Sequence, residues 1–273
     1  MCNAYMESLF GLDGRTAVVT GGGGTLGSAI GSGFAQCGAN VLLWDVREEA
    51  MTEKAQRLRK ECGDEKRIDT VQVDLMSEDS IRHALDQSAA KYGKVDILLN
   101  ACGGNRGKCP LVEQKMEDYE FVLRLNLLAG CFTPMKIFGE YWIKNGIKGA
   151  IVNIASMAGF NPLSGVWAYS AAKAAVMNQT MAAAKEFAPH GIRVNAIAPG
   201  FFLADQNRAL LMDEATGEPT ARGRQVLERT PYGRFGEPEE LAGVAILLAS
   251  SGAGSFVTGT TIPVDGAYLC DNI

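Results

Sequence analysis

The chain of 273 residues is short of the side chains that most often build a site by themselves, with only two histidines and nine prolines. His83 and His190 stand far apart, so each is expected to cap or pack, and no metal site is expected. The seven cysteines (2, 37, 62, 102, 109, 131 and 270) are odd in number and never spaced CxxC. That excludes a disulfide framework or a zinc cluster and points to reduced thiols in the cytoplasm. Cys37 and Cys131 lie in apolar patterns and are expected to be small core residues. No uninterrupted apolar run reaches the ~18 residues of a membrane span, and no membrane partner is expected. Met1 to Asp13 lacks a basic stretch followed by an apolar one, so it does not read as a signal peptide; residues 1–10 are expected to be flexible. The net charge is −5 and the basic residues are dispersed, which argues against a nucleic-acid partner.

Apolar residues make up 47% and charged residues 21%, ordinary globular usage. The 32 glycines show no three-residue repeat, so they mark tight turns rather than a fibre. Strands and helices alternate throughout. Arg15–Thr20, Asn40–Asp45, Thr70–Asp74, Val95–Asn100, Ala150–Ala155, Arg193–Ala198 and Thr260–Val264 read as short buried strands. The intervening stretches, notably Glu48–Glu61, Ser80–Tyr92, Asp118–Asn145, Ala168–Pro189 and Glu237–Ser250, have helical length and period. Near-continuous apolar strands separated by helices predict an α/β fold, a doubly wound parallel sheet covered on both faces. No linker divides the chain, so residues 1–273 read as a single domain. The one long irregular stretch, about 200–236, is expected to be a lid.

Between the first strand and its helix lies Thr20-Gly-Gly-Gly-Gly-Thr-Leu-Gly27, in which Gly22, Gly24 and Gly27 match GxGxxG. Glycines in that context let the backbone approach a pyrophosphate at a helix N-terminus. The alternative is a merely tight strand-to-helix turn. Asp45 ends the second strand 18 residues later, where a carboxylate binds ribose hydroxyls and repels a 2′-phosphate, favouring NAD over NADP. Asp74 either caps the turn after the third strand or contacts the adenine. Tyr169 and Lys173, four apart in a helical pattern, share one face. A tyrosine hydroxyl titrates near ~10, and a neighbouring lysine cation would favour its phenolate. Ser156 follows the fifth strand and can hold a substrate oxygen; Asn126 can hold a water that relays protons to the lysine. Alternatively, Tyr169 is a helix-surface aromatic and Ser156 a turn residue.

From Gly11 to Gly266 the chain resembles a single-domain short-chain dehydrogenase/reductase. The matching motifs are TGGGGTLG (20–27), Asp74-Leu75, NACG (100–103), Asn126, Ser156, YSAAK (169–173) and RVNAIAPG (193–200). The resemblance implies a Rossmann-type sheet and a catalytic set of Tyr169 as acid/base, Lys173 beside it, Ser156 on the carbonyl and Asn126 in the relay. It also implies that Gly21, Gly24, Thr25, Leu26, Gly27, Asp45, Asp74, Leu75, Asn100, Ala101, Cys102, Gly103, Tyr169, Lys173, Pro199, Gly200 and Phe202 hold NAD, with NADP the lesser fit. Three positions depart from the family pattern. Thr25 stands at its usual middle glycine, Cys102 interrupts NNAG, and Ala204 replaces the threonine that often meets the carboxamide.

The stretches GGNRGK (103–108), GFFLADQNRALL (200–211) and RTPYGRFGEPEEL (229–241) resemble sugar-acid members acting between D-mannonate and D-fructuronate. On that resemblance Asn105, Arg106, Ser156, Tyr169 and Arg208 bind substrate, the arginines meeting its carboxylate. Arg106, Lys108 and Arg208 otherwise read as solvated loop cations. Alternatives are a gluconate 5-dehydrogenase, a polyol dehydrogenase, a 3-oxoacyl reductase, or, from another class, a non-catalytic NAD-binding regulator. The apolar and small residues of helices 118–145 and 168–189 predict a homotetramer.

Overall fold

Seven short apolar segments pair side by side because neither of their faces suits water. They are β1 (Thr16–Thr20), β2 (Asn40–Asp45), β3 (Ile68–Gln72), β4 (Ile97–Asn100), β5 (Ala150–Ile154), β6 (Arg193–Pro199) and β7 (Thr261–Val264). The computed structural model describes residues 4–205 and 207–271; Cys2 and residues 1–3 of the expected flexible terminus lie outside them. The strands are parallel, in the order β3-β2-β1-β4-β5-β6-β7. The winding reverses between β1 and β4, which opens a crevice at their carboxyl ends.

Helices α2 (Thr25–Gln36), α3 (Glu48–Cys62) and α10 (Ala242–Ala249) cover one face, burying Ile30, Phe34, Leu58 and Leu248 against Val19, Leu43 and Leu99. On the other face lie α4 (Glu78–Tyr92), α5 (Met116–Leu123), α6 (Thr133–Asn145) and α7 (Trp167–Phe187), with Trp44, Phe138 and Trp142 at the centre. Charge placement helps fix these helices. α3 begins with Glu48 and Glu49 and ends with Arg59 and Lys60, which complements its dipole, and Gly63 closes it at φ 68°.

The strands fall where expected except β3, which pairs as Ile68–Gln72 rather than Thr70–Asp74. The segment Asp118–Asn145, expected as one helix, is continuous but not uniform. Between α5 and α6, Arg124–Phe132 winds more widely, and the Thr133 N–H reaches the Leu128 carbonyl five residues back. Met116–Asn145 is long and apolar enough to cross a membrane, yet half of its most apolar window is buried inside the protein. It is a core helix.

Of the terminus expected to be flexible, Ala4–Phe10 forms α1, and the Leu9 carbonyl accepts from Ala253 N–H at 2.9 Å. The region 200–236, expected to be an irregular lid, carries two short helices. It holds α8 (Arg208–Leu211) and α9 (Ala221–Glu228) around their own small core of Leu211, Val226 and Phe235. Cys131 is fully buried, as expected, whereas Cys37 is only half-buried.

Candidate active site

The crevice at the carboxyl ends of β1 and β4 is floored by the turn after β1. Gly21 has φ +66°, and a Cβ there would sit 2.8 Å from the Cys102 Cα, so only glycine satisfies both the backbone and the neighbour. A Cβ on Gly27 would come within 2.8 Å of the Gly21 carbonyl oxygen. Gly22 and Gly23 instead press toward β2, against Leu43 and Asp45. The glycines facing the cleft are therefore Gly21, Gly24 and Gly27, with Thr25 and Leu26 beside them; Gly22, matched in GxGxxG, is a packing residue. Gly24 precedes α2 and contributes no side-chain cap, which leaves the helix's positive end to an anion. A backbone cradle that side chains would fill, under an uncapped helix, fits a dinucleotide pyrophosphate.

Asp45 is buried at the end of β2 but is not free. Its carboxylate accepts from Gly23 N–H at 3.1 Å, from Arg47 N–H at 3.0 Å and from the Arg47 guanidinium at 3.2 and 3.3 Å. The arginine is 55% exposed, so this bond is weak enough for ribose hydroxyls to replace it. Asp74 is exposed and spends one oxygen on Met76 N–H, which is the turn-capping arrangement, while Leu75 is buried.

After β4 the chain divides its side chains between core and cleft. Ala101 and Gly103 line the cleft. Asn100 turns inward and donates to Asn153, which donates on to Thr180, while burial pushes the Cys102 thiol up to about 11. Asn100 and Cys102, expected to line the cofactor, are not among the residues lining the cleft.

Ser156, Tyr169 and Lys173 line the same cleft, together with Ile154 at the end of β5 and Ala155 after it. Ser156 follows β5 and accepts from Ala158 N–H at 3.1 Å. Burial holds the Tyr169 phenol above its ordinary value, and the neighbouring Ser156 only partly opposes that shift. The buried Lys173 ammonium donates to the Ile154 carbonyl at 2.7 Å and lies 5.6 Å from the centre of the Tyr169 ring. Desolvation lowers Lys173 to about 8. The expected lowering of Tyr169 by this cation is thus not what this geometry produces. The ammonium points at a carbonyl rather than the phenol oxygen, and desolvation dominates.

Asn126 sits in the wide helical turn, fully buried behind the cleft rather than in it. Its amide donates to the Gly104 and Val122 carbonyls at 2.7 and 2.8 Å, and its oxygen accepts from Gly104 N–H at 3.1 Å. Both amide protons and one lone pair of the oxygen are thereby used, and the side chain clamps the Gly104 backbone. Gly130 permits the approach, since a Cβ would lie 2.4 Å from the Cys102 carbonyl oxygen.

Pro199, Gly200 and Phe202 line the opposite side, joined by two residues the sequence reading did not place there, Gly104 and Asn207. Asn207 accepts from Ala204 N–H at 2.9 Å and donates to the Phe202 carbonyl at 2.9 Å, shaping the loop where a threonine was missing. Its one available signal was the asparagine's aptitude for turns. Of the expected substrate residues, Ser156 and Tyr169 line the cleft, whereas Asn105, Arg106 and Arg208 do not. Asn105 donates to Gly107 in its own turn. Arg106 stacks on Phe121 at 3.6 Å and pairs with Asp118 at 3.6 Å. Arg208 is exposed at the start of α8, one residue beyond Asn207.

A phenol and a serine lining one wall, a buried lysine one turn on and a dinucleotide cradle make an oxidoreductase site. The family model described as enoyl-(acyl carrier protein) reductase matches residues 23–268. An oxidoreductase of uncharacterized substrate from Haemophilus influenzae is 37% identical, over 94% of each chain. A provisionally assigned D-mannonate oxidoreductase of the same genus, solved with bound NAD, superposes with a TM-score of 0.86 at 33% identity, covering 98% of this chain and 99% of that one. A provisionally assigned 2-deoxy-D-gluconate 3-dehydrogenase from Agrobacterium tumefaciens with bound NADP gives 0.84 at 34%, over 96% and 98%. The chain belongs to the short-chain dehydrogenase/reductase family and is an oxidoreductase acting between alcohol and ketone groups.

Proposed function

We propose that this chain uses NAD to interconvert a secondary alcohol and a ketone on a sugar acid of the D-mannonate/D-fructuronate class. The observation that carries the reading is that Ser156, Tyr169 and Lys173 line one cleft with the glycine cradle of Gly21, Gly24 and Gly27. When bound, the dinucleotide would supply or accept the hydride at its nicotinamide, with Gly21, Gly24, Thr25, Leu26 and Gly27 holding its pyrophosphate and Ala101, Gly103, Pro199 and Gly200 lining the same cleft. Asp45 would take the ribose hydroxyls, the reason to favour NAD. Asp74 and Leu75 would border the adenine.

The chain's own chemistry is proton transfer at one oxygen. In reduction, Tyr169 gives its hydroxyl proton to the substrate oxygen while Ser156 holds that oxygen in line. The phenol stays protonated and so enters the reduction carrying the proton it gives. Oxidation runs the same transfer backwards. Lys173 keeps a cation one helical turn away, and Asn126 fixes the Gly104 backbone that borders the site. Asn105 and Arg106 shape the mouth, with Arg106 tied to Asp118 and Phe121. Arg208 is left as the cation for the substrate carboxylate.

The reading includes a homotetramer in the cytoplasm. Exposed Leu128, Phe132 and Met181, beside exposed Ala171 and Ala174 on α7, support the assembly. Light scattering at micromolar concentration should give four chains, and a monomer would refute this. The substrate is tested by NAD reduction across sugar acids, gluconates and neutral polyols. Arg208→Ala should lower kcat/KM for the preferred acid by roughly 10–100-fold and spare a polyol. Equal use of polyols and acids would remove the sugar-acid assignment.

A further inference from the structure

Thr25 begins α2 at the positive end of that helix and lines the cleft. Its hydroxyl is already taken by the lid: it donates to the Asp205 carboxylate at 2.9 Å and accepts from Asp205 N–H at 3.2 Å. The same carboxylate oxygen lies 3.4 Å from the Lys54 ammonium, which reaches across from α3 and is only 13% exposed. A negative charge from the lid therefore rests on the first turn of the helix whose backbone forms the anion cradle. We propose that Asp205 is a built-in competitor for the pyrophosphate: it occupies Thr25 until a dinucleotide displaces it, so that binding at the cradle releases the lid segment around Asn207.

The physical reasons are three. A hydroxyl has a single proton to donate, so Thr25 cannot serve Asp205 and a phosphate oxygen at once. Two anions at one helix terminus repel, and the repulsion is strongest where the cleft walls exclude water. Asp205 is itself 72% exposed, so its bonds to Thr25 and Lys54 are of the weak, exchangeable kind. The contact is thus strong enough to hold the lid and weak enough to lose to a doubly charged pyrophosphate. Lys54 would then be shared between the two anions, which eases the exchange. With glycine at position 25 the carboxylate would have no hydroxyl to hold.

The inference rests on dinucleotide binding in this cleft. Calorimetric titration of the full chain with ADP-ribose and with adenosine tests it, for the unaltered protein, Asp205→Asn and Asp205→Ala. Both variants should bind ADP-ribose about three- to tenfold more tightly, because a like charge is gone. Adenosine, which carries no phosphate, should bind all three forms equally. Unchanged or weaker ADP-ribose binding in the variants overturns the inference, as does an equal gain for adenosine. If no form binds ADP-ribose, the dinucleotide reading itself falls, a result distinct from either.

Discussion

Asn126 and Gly104 hold each other twice, Gly104 N–H donating to the side-chain oxygen and the side-chain amide donating to the Gly104 carbonyl. A residue in the core helix thereby fixes the backbone of a loop that borders the cleft. Asn126→Ala removes both bonds, together with the one to the Val122 carbonyl. Stability should fall by about 1–3 kcal/mol in denaturant unfolding, and turnover should fall with it. An unchanged midpoint would mean the clamp contributes nothing.

Tyr169→Phe keeps the ring and its packing but removes the transferable proton. Turnover should drop by roughly 10²–10⁴-fold while nucleotide affinity is retained. The check is steady-state kinetics beside a binding titration. Near-normal turnover would sink the assignment of this phenol.

Asp45 and Arg47 should act in opposite directions on cofactor choice. Asp45→Ala deletes the ribose acceptor and the repulsion of a 2′-phosphate, so the gap between NAD and NADP should narrow. Arg47→Ala uncovers Asp45, which is now bonded to that guanidinium, and should widen the gap. Ratios of kcat/KM for the two nucleotides decide it. A native protein that prefers NADP would show that Asp45 has been misread.

Burial lowers Lys173 to about 8 from the ordinary 10.5. Between those values the unfolded chain binds more protons than the folded one, so stability contributed by this group rises with pH across that window. Below pH 8 the buried cation costs on the order of 3 kcal/mol. Lys173→Met should therefore lose its advantage over the native chain as the pH climbs from 8 to 10.5. Urea unfolding at pH 7 and pH 10 measures the difference, and a constant difference would mean the ammonium is not depressed.

The sheet was legible because short apolar runs ending in Thr20, Asp45 and Asn100 leave few other ways to bury both faces. β3 shifted because Ile68 pairs with Val41, leaving Val73 and Asp74 to begin the next turn. The pairing of Tyr169 with Lys173 at the cleft was legible through spacing, since it needs only one helix. Arg106 was not, because its partners Asp118 and Phe121 are set by the fold and not by any local period. The small core of Leu211, Val226 and Phe235 joins residues 24 apart in sequence, so α8 and α9 have no strong pattern of their own. Asn126 was found by its motif, but its use depends on a helical winding that the apolar pattern does not encode.

That winding makes the number of residues between Leu123 and Thr133 count for more than their identity. Deleting one would let the helix close its ordinary bonds and, judged by the helix alone, would be a gain. Everything on the amino side would then swing by about 100° around the axis. Val122 would leave the core, and α5 would meet α7 with the wrong face. The segment behaves like a spacer cut to length, permissive of many substitutions on its exposed side and intolerant of a single residue lost or added.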